Sequence, residues 1–140
     1  MQLRPLTDHI TLADQLTESD LIEIVTAGFK TVICNRPDEE GEAHLPASEA
    51  KAMLEANGVE FHYLPVNGAA ITDQDVVNHN ALLAGASAPV LTYCRTGTRC
   101  AKLWALGQVG QADADANADS LISKVADTGL NIADIRDRLS

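Results

Sequence analysis

The chain of 140 residues has few aromatic residues and few cysteines. Aromatic residues make up only 4% of it, so a hydrophobic core must be built mainly from aliphatic side chains and alanine. Three cysteines are too few, and odd in number, for a disulfide framework, and no zinc-ligand spacing of paired Cys or His is present. We therefore expect one domain over residues 1–140, stabilised by its core, with no metal and no other cofactor.

Positive charge and long apolar runs are also scarce. Ten Lys and Arg face 20 Asp and Glu, for a net charge of −10, which argues against a nucleic-acid partner. Any anion site must therefore be built locally, from a few groups that act against the overall field. No apolar run approaches the roughly 20 residues of a membrane helix, and the N-terminal segment lacks the features of a signal peptide. These absences, with cysteine usage typical of a reducing compartment, predict a cytoplasmic protein without a membrane partner.

Strand and helix patterns alternate along most of the chain. This alternation predicts an α/β fold with a mainly parallel sheet flanked by helices, followed by a helical C-terminal extension over residues 111–140. The predicted strands are 9–13, 30–34, 59–66 and 89–93. The predicted helices are 17–27, 47–57, 72–85, 98–109, 120–126 and 132–139.

The segment CRTGTR, Cys94–Arg99, follows the clearest of the predicted buried strands and precedes a helix. Ligands bind at this end of a strand in open α/β sheets, where loop N–H groups and the helix N-terminus attract anions. We expect Arg95, Thr96, Gly97 and Thr98 to form an oxyanion-binding loop, with Arg99 clamping the anion. The same donors would stabilise a Cys94 thiolate and make it a nucleophile near neutral pH. The alternative, that Cys94 is a small buried hydrophobic residue, leaves the arginines and the glycine of this loop unexplained.

This loop resembles the active loops of two cysteine enzyme families. Cys-x-x-Gly-x-Arg is similar to the six-residue loop of rhodanese sulfurtransferases, which carry a persulfide on the cysteine. It is also similar to the Cys-x5-Arg loop, or P-loop, of protein tyrosine and dual-specificity phosphatases, but it is one residue shorter. Cys100 stands where that spacing would place the arginine.

Three further segments widen the resemblance to residues 3–110. They are LADQLTESDLIEIVTAGFKTVICNRPDEEGE, GVEFHYLPV and APVLTYCRTGTR. Together they resemble the phosphatase-like domain of beta-lactamase hydrolase-like proteins. That resemblance implies the fold of dual-specificity phosphatases, with Cys94 as nucleophile and Arg99 as anion clamp. Because family members also occur fused to a domain of the persulfide dioxygenase kind, it also implies a partner of that type.

The general acid separates the two chemistries. Dual-specificity phosphatases carry an aspartate after an earlier strand, but here that strand ends at Asn67, which cannot act as an acid. Asp73 and Asp75 are better explained as first-turn residues of a helix. Because sulfur transfer from thiosulfate needs no such acid, we expect a sulfurtransferase that works through a Cys94 persulfide. The alternatives are a hydrolase, namely a phosphatase that forms a phosphocysteine, and a module that binds an oxyanion or phosphorylated partner without turnover.

Several residues are candidates for accessory roles. Arg36 and Asp38 lie in the family-like turn NRPDEE, and Asp38 is the candidate for a displaced acid. Cys100 could resolve an oxidised or persulfidated Cys94, although packing of the helix against the sheet is the simpler explanation. His44 is a candidate neighbour of the site, and Arg95 is expected to point away from it. The expected substrate is a small anion: thiosulfate, a persulfide or a phosphate ester.

Overall fold

A computed structural model describes residues 1–109 and 117–139 and has a five-stranded sheet at its centre. The strand order is β1-β2-β5-β3-β4, and every neighbouring pair is parallel except β1 with β2. The predicted α/β fold with a mainly parallel sheet is therefore confirmed. The strands are β1 (Leu3–Pro5), β2 (Ile10–Ala13), β3 (Thr31–Cys34), β4 (Glu60–Tyr63) and β5 (Val90–Tyr93).

The helices follow the predicted pattern with two differences. The last predicted helix is a 3₁₀ helix, Ala133–Leu139, and the helix before it begins two residues earlier than predicted. Strand β1 was not predicted, because it is a three-residue edge strand that contains a proline. The α-helices are α1 (Glu18–Ala27), α2 (Ala47–Ala56), α3 (Asp73–Gly85), α4 (Thr98–Gln108) and α5 (Ala118–Ala126). Residues 111–116 and 140 of the expected C-terminal extension lie outside the described residues.

Local sequence signals explain where the helices begin and end. The side chain of Thr17 accepts a hydrogen bond from the backbone of Asp20, whose carboxylate accepts from the backbone of Thr17 in return. This reciprocal capping satisfies N–H groups that the first helical turn of α1 leaves unpaired. Gly28 ends α1 with φ at 89°, a left-handed conformation that glycine adopts without steric cost.

Two hydrophobic clusters cover the sheet, because side chains alternate between its faces along each strand. Val32 and Leu91 belong to the cluster that includes α1 and α2, whereas Leu12 belongs to the cluster that includes α4 and α5. Thr92 points to the second face, where it meets His79 of α3. In residues 1–109 and 117–139, no helix is long and apolar enough to span a membrane.

The central strands β3 and β5 place two loops at the same edge of the sheet. Cys34 pairs with Tyr93 at the carboxyl ends of these parallel strands. The next residues, Asn35 and Cys94, therefore begin neighbouring loops. This edge is where the structure brings the predicted site residues together.

Candidate active site

The loop after β5 wraps around the sulfur of Cys94. The backbone N–H of Gly97 donates to Cys94 Sγ at 3.1 Å, and Cys94 is only 1% exposed. Gly97 has φ at 93°, and a Cβ atom at this residue would lie 3.4 Å from the carbonyl oxygen of Ala13. A side chain at this position would strain the backbone, so glycine allows the turn that brings the N–H to the sulfur.

The pKa of the Cys94 thiol is lowered from 9.0 to about 6. The largest cause is a hydrogen bond from the Cys100 side chain, and burial works in the opposite direction. Backbone hydrogen bonds from Cys100 and Thr96 and the positive charge of Arg99 lower the pKa further. Cys94 is therefore mainly a thiolate at neutral pH, as a nucleophilic cysteine must be.

Arg99 lies in the first turn of α4 and is fixed by three acceptors. Its Nη1 donates to the carbonyl oxygens of Asn35 and Val66 at 3.2 and 2.9 Å, and its Nη2 donates to Glu40 Oε1 at 2.8 Å. Its Nε is buried and has no hydrogen-bond partner in the described structure. A bound oxyanion would satisfy this donor, because guanidinium groups bind such anions through adjacent N–H groups.

The loop after β4 packs tightly against this guanidinium. A Cβ at Gly68 would lie 2.8 Å from Arg99 Nε, closer than such atoms approach in proteins. Residue 68 must therefore be glycine for Arg99 to keep its position. The loop expected to carry a general acid thus packs against Arg99, the residue predicted to clamp an anion.

The remaining loop residues differ in their exposure. The hydroxyl of Thr96 donates to that of Thr98 at 3.1 Å, which links two predicted members of the oxyanion loop. Arg95 is exposed and lines an open cavity of about 700 Å³ together with Arg36 and His44. The expectation that Arg95 points away from Cys94 stays a prediction.

The accessory candidates after β3 have structural contacts of their own. Arg36 is 5% exposed and donates to the side chain of Gln15 and to the carbonyl oxygen of Glu40. Asp38 accepts a hydrogen bond from the backbone of Ala47, the first residue of α2, at 2.9 Å. The Asp38 carboxylate is therefore engaged at a helix N-terminus.

His44 borders the same cavity and is anchored by its own loop. Its Nδ1 is 2.8 Å from the carbonyl oxygen of Glu42, so this nitrogen carries the proton and donates it. Its Nε2 is buried and has no partner in the described structure. The structure thus places His44 beside Arg95 and Arg36, as a neighbour of the loop.

The acids after β4 also have roles in the fold. Asp75 forms a reciprocal cap with Thr72 at the start of α3, and Asp73 interacts with Arg138 at 3.4 Å. Asn67 Oδ1 accepts from the backbone of Ala69. These contacts agree with the expectation that Asp73 and Asp75 are first-turn helix residues.

Two residues of the site were not among the predicted ones. Glu40 binds Arg99, and Asn35 is fully buried between β5 and α4. Both belong to the turn NRPDEE, but one sequence gives no sign of which side chain in a turn folds back over a loop 60 residues away. Among residues 1–109 and 117–139, no group of three or more His, Cys, Asp or Glu side chains could hold a metal ion.

Comparison with known sequences identifies a family. The model for the phosphatase-like domain of beta-lactamase hydrolase-like proteins matches residues 2–111. A beta-lactamase hydrolase-like protein of Agrobacterium fabrum is 31% identical over 103 residues, which are 74% of this chain and 24% of that protein. The chain thus spans about a quarter of the length of this curated relative.

Comparison with solved structures identifies the same kind of protein. A candidate phosphatase from Neisseria meningitidis has 38% identity and a TM-score of 0.88, and the match covers 100% of this chain and 97% of that one. TpbA of Pseudomonas aeruginosa, solved in complex with pTyr, has 17% identity and a TM-score of 0.69 over 98% of this chain and 79% of that one, which supports the fold alone. The predicted family and its phosphatase-like fold are therefore confirmed. These names favour the phosphatase alternative over the sulfurtransferase that the sequence analysis preferred.

Proposed function

We propose that this chain, which belongs to the family of phosphatase-like domains of beta-lactamase hydrolase-like proteins, is a cysteine-dependent phosphatase. The observation that carries this proposal is the surroundings of Cys94: a buried sulfur that accepts from the N–H of Gly97 at 3.1 Å, beside an arginine with a free buried donor. The substrate class is a phosphate monoester. The phosphatase names among the matched proteins support the same reaction class.

The reaction takes place in two displacements at phosphorus. In the first, the Cys94 thiolate forms an S–P bond while the P–O bond to the leaving group breaks, and the leaving oxygen takes the electron pair of that bond. In the second, water attacks phosphorus, the S–P bond breaks, and the thiolate is restored as inorganic phosphate and a proton are released. Loop N–H groups and Arg99 stabilise the oxygens of the phosphoryl group in both steps.

The leaving group determines which substrates react quickly. Asn67 stands where the loop after β4 was expected to carry an acid, and the carboxylates of Asp38 and Asp75 are engaged at helix N-termini. The Glu40 carboxylate is ion-paired with Arg99. With none of these groups acting as the acid, the leaving oxygen must depart as an anion or take its proton from water. Aryl esters, whose leaving groups are stable as anions, should therefore react much faster than alkyl esters.

Trapping of the covalent intermediate tests this proposal. The enzyme is mixed rapidly with an aryl phosphate and stopped with denaturant, and the phosphorylated peptide is identified by mass spectrometry. We expect phosphate on Cys94 and inhibition of turnover by vanadate. Phosphate on any other residue would refute the proposed nucleophile.

The sulfurtransferase is the second candidate, and one specific observation favours it. The loop from Cys94 to Arg99 has six residues, one fewer than the phosphatase signature that it resembles. A sulfur-transfer reaction would require an acceptor thiol, and the persulfide dioxygenase-type partner implied by the resemblance would then be a candidate partner of this chain. Thiocyanate formation from thiosulfate and cyanide, dependent on Cys94, would support this candidate. Tight phosphate binding by both wild type and Cys94→Ala, with no turnover, would instead support a binding module.

A further inference from the structure

Asn35 connects more parts of the site than any residue in the proposed mechanism. It follows β3 directly, is fully buried, and donates from its backbone to the carbonyl oxygen of Tyr93 at 2.9 Å. Its own carbonyl oxygen accepts from Arg99 Nη1 at 3.2 Å and from the backbone of Val66 at 2.9 Å. Its side-chain Nδ2 donates to the carbonyl oxygen of Leu64 at 3.0 Å. The backbone and amide nitrogen of Asn35 thus join β5, α4 and the loop after β4.

The side-chain oxygen of Asn35 reaches the nucleophile through one intermediate thiol. Asn35 Oδ1 accepts from Thr92 Oγ1 at 3.2 Å and from Cys100 Sγ at 3.1 Å. These two donors occupy both of its lone pairs, and Nδ2 is already bound to Leu64, so the orientation of the amide is fixed. Cys100 is fully buried and also contributes a hydrogen bond to Cys94.

A thiol carries a single proton, so Cys100 cannot donate fully to both acceptors. In the structure, the acceptor at 3.1 Å is the amide oxygen of Asn35. A Cys94 thiolate would be the stronger acceptor because of its negative charge, and Asn35 Oδ1 would keep its bond from Thr92. Forming the thiolate would therefore move the Cys100 proton from one acceptor to the other.

We propose that Asn35 is a positioning residue for the nucleophile: its side-chain oxygen holds the Cys100 thiol and competes with the Cys94 sulfur for that thiol's proton. The inference rests on the role of Cys94 in the proposed function. The titratable and charged groups that act on Cys94 include Cys100 and Arg99 of α4 and Cys34 of β3, and Arg99 is in turn paired with Glu40. His79 of α3 contacts the same network, with Nε2 at 3.2 Å from Thr92 Oγ1.

The titration of Cys94 can be followed without substrate, by the ultraviolet absorbance of the thiolate. Burial raises the pKa of Cys34 to about 11 and that of Cys100 well above its ordinary value, so the change near pH 6 belongs to Cys94. Because no turnover is measured, a failure of this test is distinct from a failure of the phosphatase assay.

Two different substitutions of Asn35 are expected to shift the midpoint of the Cys94 titration in opposite directions. Asn35→Ala removes the competing acceptor and should lower the midpoint by roughly half a unit. Asn35→Asp keeps an acceptor but adds a negative charge, and should raise it. Thr31→Val is the matched control, because Thr31 is buried at the other end of β3 and donates to the carbonyl oxygen of Ser87, so the midpoint in this variant should not move.

A double-mutant cycle identifies Cys100 as the connection. Cys100→Ala should raise the midpoint by about one unit or more, and Asn35→Ala should have no additional effect in that background. Thermal unfolding of each variant establishes that it is folded. The proposal is wrong if Asn35→Ala shifts the midpoint equally with and without Cys100. It is also wrong if both Asn35 variants leave the midpoint unchanged. If Asn35→Ala does not fold, the absence of an upward shift in Asn35→Asp is enough to reject the proposal.

Discussion

Two buried cysteines at neighbouring strand ends differ in their expected reactivity. Cys34 is the last residue of β3, and Cys94 follows the last residue of the adjacent parallel strand β5. They are 3% and 1% exposed, so burial alone does not distinguish them. Yet burial raises the pKa of Cys34 to about 11, whereas hydrogen bonding, led by Cys100, lowers that of Cys94 to about 6.

The difference lies in the groups that each loop offers to the sulfur. The loop after β5 turns its Gly97 N–H onto Cys94 and begins a helix whose first turn carries Arg99 and Cys100. The Cys34 thiol instead donates to the carbonyl oxygen of Arg36 at 3.5 Å, and its hydrogen bonds with Tyr93 and Arg36 lower its pKa less than burial raises it. The balance between burial and hydrogen bonding therefore separates the two thiols.

The largest expected effect comes from exchanging the two sulfurs for oxygen. Cys94→Ser should reduce kcat/KM for an aryl phosphate by at least about a thousandfold, because serine is not ionised near neutral pH. Cys34→Ser should leave kcat/KM within about threefold and reduce stability instead, since it places a hydroxyl in the core. Steady-state kinetics and thermal unfolding of both variants measure this contrast. Equal loss of activity in the two variants would remove the distinction between the strand ends.

Two arginines near these strand ends, Arg36 buried and Arg99 half-buried, extend the contrast. Arg99→Ala should reduce kcat/KM by about a hundredfold, because it removes a cation from the transition state. Arg36→Ala should reduce the free energy of unfolding more than kcat/KM, since Arg36 donates to Gln15 and Glu40 within the fold. Inhibition by inorganic phosphate supplies an independent readout of anion binding. A greater loss of phosphate affinity in Arg36→Ala than in Arg99→Ala would contradict this assignment.

Gly68 tests whether the position of Arg99, and not only its charge, matters. Gly68→Ala places a methyl group 2.8 Å from Arg99 Nε and should reduce kcat/KM about tenfold. Gly85→Ala at the end of α3 is the matched control, because no atom lies within 4 Å of the added carbon. The control should keep full activity. Unchanged kinetics in Gly68→Ala would mean that the guanidinium position is not critical.

His79 shows what burial does to a histidine that no negative charge compensates. Burial lowers the pKa of His79 from 6.5 to about 4, so the unfolded state binds a proton in this range that the folded state does not. The free energy of unfolding should therefore decrease as pH falls from 6.5 to 4, by about 3 kcal/mol in all. His79→Gln should flatten this part of the profile, as measured by denaturant unfolding at several pH values. A slope identical to wild type would contradict the assignment.

Most of the fold and half of the site could be predicted from the sequence. Capping residues such as Thr17 and Asp20, and the apolar strand before Cys94, are local signals that specify an element without its neighbours. Cys94 and Arg99 can be predicted as members of the candidate site because they lie in one short segment. Glu40 and Asn35 were missed because their roles arise from contacts with α4 more than 50 residues away.

A comparison of two reactions of one preparation distinguishes the proposed phosphatase from a sulfurtransferase. Release of nitrophenol from its phosphate is followed beside formation of thiocyanate from thiosulfate and cyanide, in wild type and in Cys94→Ser. We expect the rate of nitrophenol release to rise with pH through about 6 and to disappear in Cys94→Ser, with little thiocyanate formed. Thiocyanate formation that depends on Cys94, without nitrophenol release, would contradict the proposed phosphatase and assign the six-residue loop to sulfur transfer.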